Sequence, residues 1–270
     1  MAESVVQSIK KSIVFFGVMN SGKPQYSGTG FVIQVDKIFY VVTAKHVVSN
    51  NFANMMIFCN SNNFGINVKP ISGILGNGFS WKSHQNPNVD IALLPFPIDL
   101  KNDKVKTVPN SLFVKKPDDI EELVNLFFLS YQPGINEIDS DSIDPIIRKG
   151  VISRLNHDKT FYMDGFAFPG NSGSPVFLLP TPIKMIGNNL QIGGPMEIKL
   201  AGIIGAYVPY QDVSISQQTG QISSISTENT GIAIVHSTLL LEEIINSPDF
   251  QEQHKRIVEN VEKAGTNKSK

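Results

Sequence analysis

Cysteine is almost missing: the 270-residue chain has one, Cys59, so no internal disulfide can brace it. Small secreted proteins often rely on such braces, and their absence points to a reducing compartment, with a cytoplasmic location as the expectation. Net charge is nearly missing too, at -1, which gives neither nucleic acid nor an anionic membrane surface a bulk electrostatic reason to bind. No apolar run reaches the roughly 18 residues that a membrane span needs. The closest approach to a leader is Lys10-Lys11 followed by the apolar run from Ile13 to Met19. That run is short for a signal core, has Glu3 on its basic side and lacks a small-x-small cleavage site, so a strand is expected there. The five histidines have no metal-ligand spacing, and neither metal nor organic cofactor is expected.

What the chain does have is ordinary globular composition, 41% hydrophobic and 17% charged, enough for a sizeable core. Short β-branched and aromatic runs alternate with Gly, Pro, Asn and Ser clusters, the pattern of an all-β protein. The first half offers strands at Ser12–Val18, Gly30–Val35, Ile38–Thr43, Met55–Cys59, Val68–Ile74 and Asp90–Pro95. The second offers Val124–Ser130, Ile146–Leu155, Thr160–Phe166, Ser174–Leu179, Lys199–Val208 and Gly231–His236. Two sets of six predict two antiparallel barrels. The proline-bounded, charged stretch Pro95–Pro109 reads as an exposed connection between them. The expected boundaries are 1–100 for the first barrel, 101–112 for the linker, 113–236 for the second barrel, 237–263 for a C-terminal helix capped by Ser237, and 264–270 for a frayed tail. Residues 207–229 are polar enough to be a long loop or an exposed hairpin.

Three segments carry chemistry. In Gly170-Asn-Ser172-Gly173-Ser-Pro175, two glycines allow a tight turn that exposes a serine hydroxyl, and the N–H groups of Gly170 and Ser172 can face a developing oxyanion. The apolar strand Phe39-Tyr-Val-Val-Thr-Ala-Lys-His46 delivers a histidine, the side chain suited to moving a proton near neutral pH. In Asp90-Ile-Ala-Leu-Leu94 a carboxylate opens an apolar strand and needs a partner, which a histidine N–H supplies. Singly, each is more often a turn, a core histidine or a local cap. Together and in order, they read as nucleophile, base and orienting acid.

These segments, with Gly28-Thr-Gly-Phe-Val-Ile33, resemble the successive motifs of the trypsin-like peptidases, and the order His46, Asp90, Ser172 is that of the chymotrypsin arrangement. Lys149-Gly-Val-Ile-Ser153, Asp164-Gly-Phe-Ala-Phe-Pro-Gly-Asn-Ser172 and Thr230-Gly-Ile-Ala-Ile234 are similar to the disulfide-free, HtrA-like and bacterial members. The resemblance covers about residues 12–245 with no PDZ-like segment, and implies a chymotrypsin-like pair of six-stranded barrels with the site in the cleft between them. It also implies Phe166 near the base of the primary specificity pocket and Gly205-Ala206-Tyr207 as the substrate-pairing strand. No acidic residue stands at that base, so an apolar or small P1 side chain is expected. One departure matters: trypsin-like zymogens pair a new N-terminal amine with an aspartate before the nucleophile, and here that residue is Asn171. The expected function is serine endopeptidase acting on protein or peptide substrates, with gating by a regulatory protein partner. The rival expectation is a protease-fold binding or scaffold module whose oxyanion hole is collapsed.

Overall fold

The computed structural model describes residues 4–49, 54–137, 141–180, 183–186, 189–192 and 197–267. The expected two-part, mostly β architecture is present. A short helix α1, Val5–Lys10, leads into the first half, capped by the Ser4 side chain, which accepts from the Gln7 N–H. Strands β1 (Ile13–Asn20), β2 (Lys23–Val35), β3 (Ile38–Thr43), β4 (Met56–Asn60), β5 (Ile66–Pro70), β6 (Lys82–Ser83), β7 (Ala92–Pro95) and β8 (Val108–Pro109) follow, with helix α2, Ile71–Gly76, after β5. They form one sheet in the order β5-β4-β1-β2-β3-β7-β6, with β8 pairing β2. Six of the eight correspond to sequence expectations. The two-residue strands β6 and β8 carry too few side chains for any periodicity to register.

β8 also corrects the reading of the linker as exposed throughout. It runs parallel to β2, with Ile33 opposite Val108, and Val108 is buried. Asp103 is buried as well, paired with Lys69 at 2.7 Å and accepting from Asn67 at 2.8 Å. A charged run therefore folds onto the sheet because its carboxylate has partners there.

The second half contains β9 (Asn125–Ser130), β10 (Ile146–Leu155), β11 (Thr160–Asp164), β12 (Pro175–Leu178), β13 (Ile183–Ile186), β14 (Asn189–Ile192), β15 (Lys199–Ile215) and β16 (Ile222–Ser237). Six of these close a barrel, β10-β11-β16-β15-β12-β9, while β13 and β14 form a separate pair. Closure leaves the barrel without free edges over its core. The outer parts of β15 and β16 leave the barrel as an exposed hairpin, Pro209 facing Asn229 and Ile215 facing Ile222.

The single expected C-terminal helix is two: α3, Thr238–Ile245, and α4, Pro248–Asn267. Pro248 cannot donate the bond that would carry the first helix onward, and the Ser247 hydroxyl caps the second by accepting from the Phe250 N–H. Ser237 does stand at the N-cap of α3, but its side chain makes no capping bond. Helix α4 continues through Asn267, so the start of the expected frayed tail is helical; local backbone bonding needs no apolar content. Residues 268–270 lie outside the described residues, as do 181–182, 187–188 and 193–196.

One apolar cluster joins both halves, running from Phe15, Tyr26 and Phe58 through Tyr131, Phe127 and Phe177 to Leu241 and Phe250. Tyr131 meets Phe15 and Tyr26 edge-on, with centroids 5.4 Å away in each case. Each half also has its own smaller core. His254 has polar neighbours in sequence but is buried on α4, where its ring hydrogen-bonds the Tyr40 hydroxyl at 2.8 Å and Asp36 at 3.0 Å. Among the described residues no helix is long and apolar enough to cross a membrane.

Candidate active site

β3 and β7 pair antiparallel with Thr43 opposite Ala92. That register brings the chain leaving β3 beside the chain entering β7. The short 3-10 turn Lys45–Val48 then turns His46 onto Asp90. Asp90 is engaged twice: its Oδ1 accepts the His46 backbone N–H at 2.9 Å and its Oδ2 accepts the ring Nδ1–H at 2.6 Å. A carboxylate that only accepts fixes the tautomer, leaving Nε2 as the free base. The hydrogen bond to Asp90 raises the His46 pKa above the ordinary value, against the opposing effect of burial and with help from the Asp90 charge. Burial pushes Asp90 upward, but the bond to the His46 ring, that ring's charge, the His46 N–H and the nearby His236 outweigh it, and its pKa lies below the usual carboxylate value.

Ser172 arrives from the other half, between β11 and β12. Phe168-Pro169-Gly170-Asn171 forms a turn closed by the Asn171 N–H to the Phe168 carbonyl at 2.9 Å, with Gly170 at φ +95°. Proline second and a positive-φ glycine third are the residues of a type II turn. Gly173, at φ +85°, is required for a second reason: a Cβ there would collide with the Thr29 carbonyl. Among the described residues, the N–H groups of Gly170 and Ser172 donate to no protein acceptor. The Ser172 hydroxyl donates to the Gly205 carbonyl at 3.2 Å. His46 and Ser172 line one cavity of about 380 Å³, but among the described residues no hydrogen bond joins them.

The same cavity is walled by Gly205, Ala206 and Tyr207, the segment expected to pair with substrate. Phe166, expected near the base of the specificity pocket, has an exposed side chain that stacks on Phe168 with ring centroids 6.2 Å apart. Ala167, Phe168 and Pro169 add to the same wall.

Asn171 is fully buried, and its amide works in both directions. Its oxygen accepts the Phe168 N–H at 2.8 Å and its nitrogen donates to the Tyr131 carbonyl at 2.6 Å. A neutral clasp of this kind needs no external cation. Thr29 and Tyr131, which the sequence did not single out, touch the site, as does His236 at the end of its strand. Thr29 lay inside a quoted motif, yet nothing in a motif shows where a hydroxyl points. His236 is buried, packed against Gly205, and its Nδ1 has no partner among the described residues. Among the described residues, no three His, Cys, Asp or Glu side chains group so as to hold a metal ion.

No curated protein matches the chain. Among solved structures, a serine endoprotease from Yersinia pestis is 16% identical at a TM-score of 0.47, over 89% of this chain and 63% of that one. The HtrA-type protease AlgW, a variant with a decapeptide, is 15% identical at a TM-score of 0.47, over 89% of this chain and 65% of that one. This chain thus spans just under two thirds of their length. The profile of the trypsin-like peptidase domain matches residues 28–180, more than half of the sequence and inclusive of His46, Asp90 and Ser172. The chain belongs to the trypsin-like peptidase family.

Proposed function

We propose that the protein is a serine endopeptidase in which Ser172 attacks a peptide carbonyl, His46 takes and returns the proton, and Asp90 holds His46. The observation that carries this is the paired bond from Asp90 to His46, at 2.9 and 2.6 Å, beside a cavity that the Ser172 hydroxyl shares. With Nδ1–H committed to Asp90, Nε2 faces the cavity as a base. On substrate entry the Ser172 hydroxyl leaves the Gly205 carbonyl for Nε2, and the acyl-enzyme forms as the tetrahedral oxyanion is held by the Gly170 and Ser172 amides. Those amides are the oxyanion donors in this reading, and with no protein acceptor among the described residues they are available. Ala167, Ile204 and Ala206 give the cavity an apolar wall without a carboxylate, which favours an apolar or small P1 side chain. Substrates are proteins or peptides, and cleavage takes place in a reducing, cytoplasmic setting that suits an unbraced chain.

The engagement of the Ser172 hydroxyl with Gly205 also favours a second reading, a resting state or scaffold that a protein partner must activate. Labelling with a fluorophosphonate probe separates the two. The isolated protein should be labelled and the Ser172→Ala variant should not. Its rate should fall as pH drops through the raised His46 pKa, because the protonated ring cannot accept the serine proton. Label retained by Ser172→Ala removes Ser172 as nucleophile, and labelling only with a partner present selects the second reading.

A further inference from the structure

Thr29 lies on β2, in the first half of the molecule, and is fully buried. Its hydroxyl donates to the Gly170 carbonyl at 2.7 Å and accepts the Tyr131 N–H at 2.9 Å. Both partners belong to the second half, 141 and 102 residues away in sequence. Its backbone is equally engaged: the N–H donates to the Ser172 carbonyl at 3.0 Å, and the carbonyl accepts the Thr43 hydroxyl at 2.7 Å. Thr43 ends the strand that leads to His46. One residue thus touches the turn that carries Ser172, the chain entering the 131–137 loop, and the strand behind the histidine.

A buried threonine that only stabilised its own sheet would direct its hydroxyl there, to a neighbouring strand. This one directs its proton and a lone pair across the seam. The recipient matters because Gly170 has no Cβ, so its flanking peptides turn easily. Asn171 secures Phe168 and Tyr131, but it does not hold the Gly170 carbonyl. Among the described residues, the Thr29 hydroxyl is what donates to that carbonyl. With the Gly170 carbonyl held by the Thr29 hydroxyl and the Ser172 carbonyl by the Thr29 N–H, the segment that carries the Ser172 N–H is pinned at both ends, and the Gly170 backbone next to its own N–H is anchored with it.

We infer that Thr29 is a positioning residue for the oxyanion donors, locking the Gly170–Ser172 turn of one half from a strand of the other. The inference rests on the reading of Ser172 as the nucleophile, and it is tested in a way that does not depend on turnover alone. Three 15N-labelled proteins are compared: the natural chain, Thr29→Val, which keeps the shape without the hydroxyl, and Thr29→Ser, which keeps the hydroxyl. Two quantities are measured on each, amide hydrogen exchange at Asn171 and the second-order rate of fluorophosphonate labelling. Asn171 is informative because its N–H bonds to Phe168 and not to Thr29.

In Thr29→Val, exchange at Asn171 should accelerate at least about tenfold while Ile57, on the distant β4, keeps its natural rate, and labelling should slow by about ten- to a hundredfold. Thr29→Ser should restore both to within about threefold. Natural exchange and labelling in a folded Thr29→Val protein would overturn the inference, as would a Thr29→Ser protein as impaired as Thr29→Val. If Thr29→Val does not fold, Thr29→Ala takes its place under the same criteria. If the natural protein takes no label on its own, the resting or scaffold reading is selected in place of constitutive activity and the exchange data decide alone: accelerated exchange that serine reverses upholds the lock, and unchanged exchange ends it.

Discussion

Asn171 shows how much one atom can decide. Its amide nitrogen lies 2.6 Å from the Tyr131 carbonyl, a separation that only a donor tolerates. In Asn171→Asp an ionised oxygen would face that carbonyl in a fully buried position, at a cost of about 2–4 kcal/mol. Urea denaturation at pH 7 should register this loss, and the deficit relative to the natural chain should shrink at pH 4.5. The reason is that a carboxyl forced into this site has a raised pKa, and its protonated form again offers a hydrogen to Tyr131. His236 makes the opposite case for titration. Burial lowers its pKa, the charges of Asp90 and Asp158 offset this in part, and the charge of His46 adds to it. The folded protein therefore holds His236 neutral at pH values where the unfolded chain protonates it. Stability from this site is complete above the unfolded pKa of about 6.5 and is lost as pH falls below it towards the lowered folded value. Replacing His236 by glutamine should flatten the decline of Tm between about pH 6.5 and 4.5, and an unchanged slope would assign that decline to other groups.

Among the elements, α4 packs on β3, the strand that leads to His46. Phe250 is completely buried against Tyr40, 4.9 Å between ring centroids, and Gln253 accepts from both the N–H and hydroxyl of Ser80. Phe250→Ala should lose about 3–5 kcal/mol in chemical denaturation, since it empties a core shared with β3. A loss under about 1 kcal/mol would mean that the helix is dispensable to the sheet. The strands that dominate this core were legible in sequence because Phe15, Val42 and Leu93 recur in short apolar runs bounded by turn residues. The β10 limits, Ile146–Leu155, coincide with the expected ones. What escaped reading had no periodic signature. β8 is two residues long, and His254 is buried by a tertiary hydrogen bond to Tyr40 that its neighbours in sequence do not foreshadow. In the site, glycines, a histidine and an aspartate were readable because the chemistry demands those types. Thr29 and Phe168 were not, because their parts depend on which way a hydroxyl and a ring point after two distant segments meet.

At the scale of the whole molecule the site sits on a seam. His46 and Asp90 come from the open sheet, Ser172 and its turn from the closed barrel, and the Phe15, Tyr26 and Tyr131 cluster fills the space between. A core continuous across the seam predicts one cooperative unfolding event. Calorimetry should give a single endotherm whose calorimetric and van't Hoff enthalpies agree, whereas two resolved transitions would show halves that fold independently. Another feature of the open sheet bears on how such measurements can be made. Cys59 is the only thiol in the chain and is completely buried, and burial with the nearby Asp103 charge pushes its pKa up to about 12. It is chemically silent at neutral pH. A cysteine introduced on the surface, such as Gln217→Cys at the exposed tip of the hairpin, would therefore be the one reactive sulfur in the protein, giving a fluorophore or spin label a single address without removal of the native thiol.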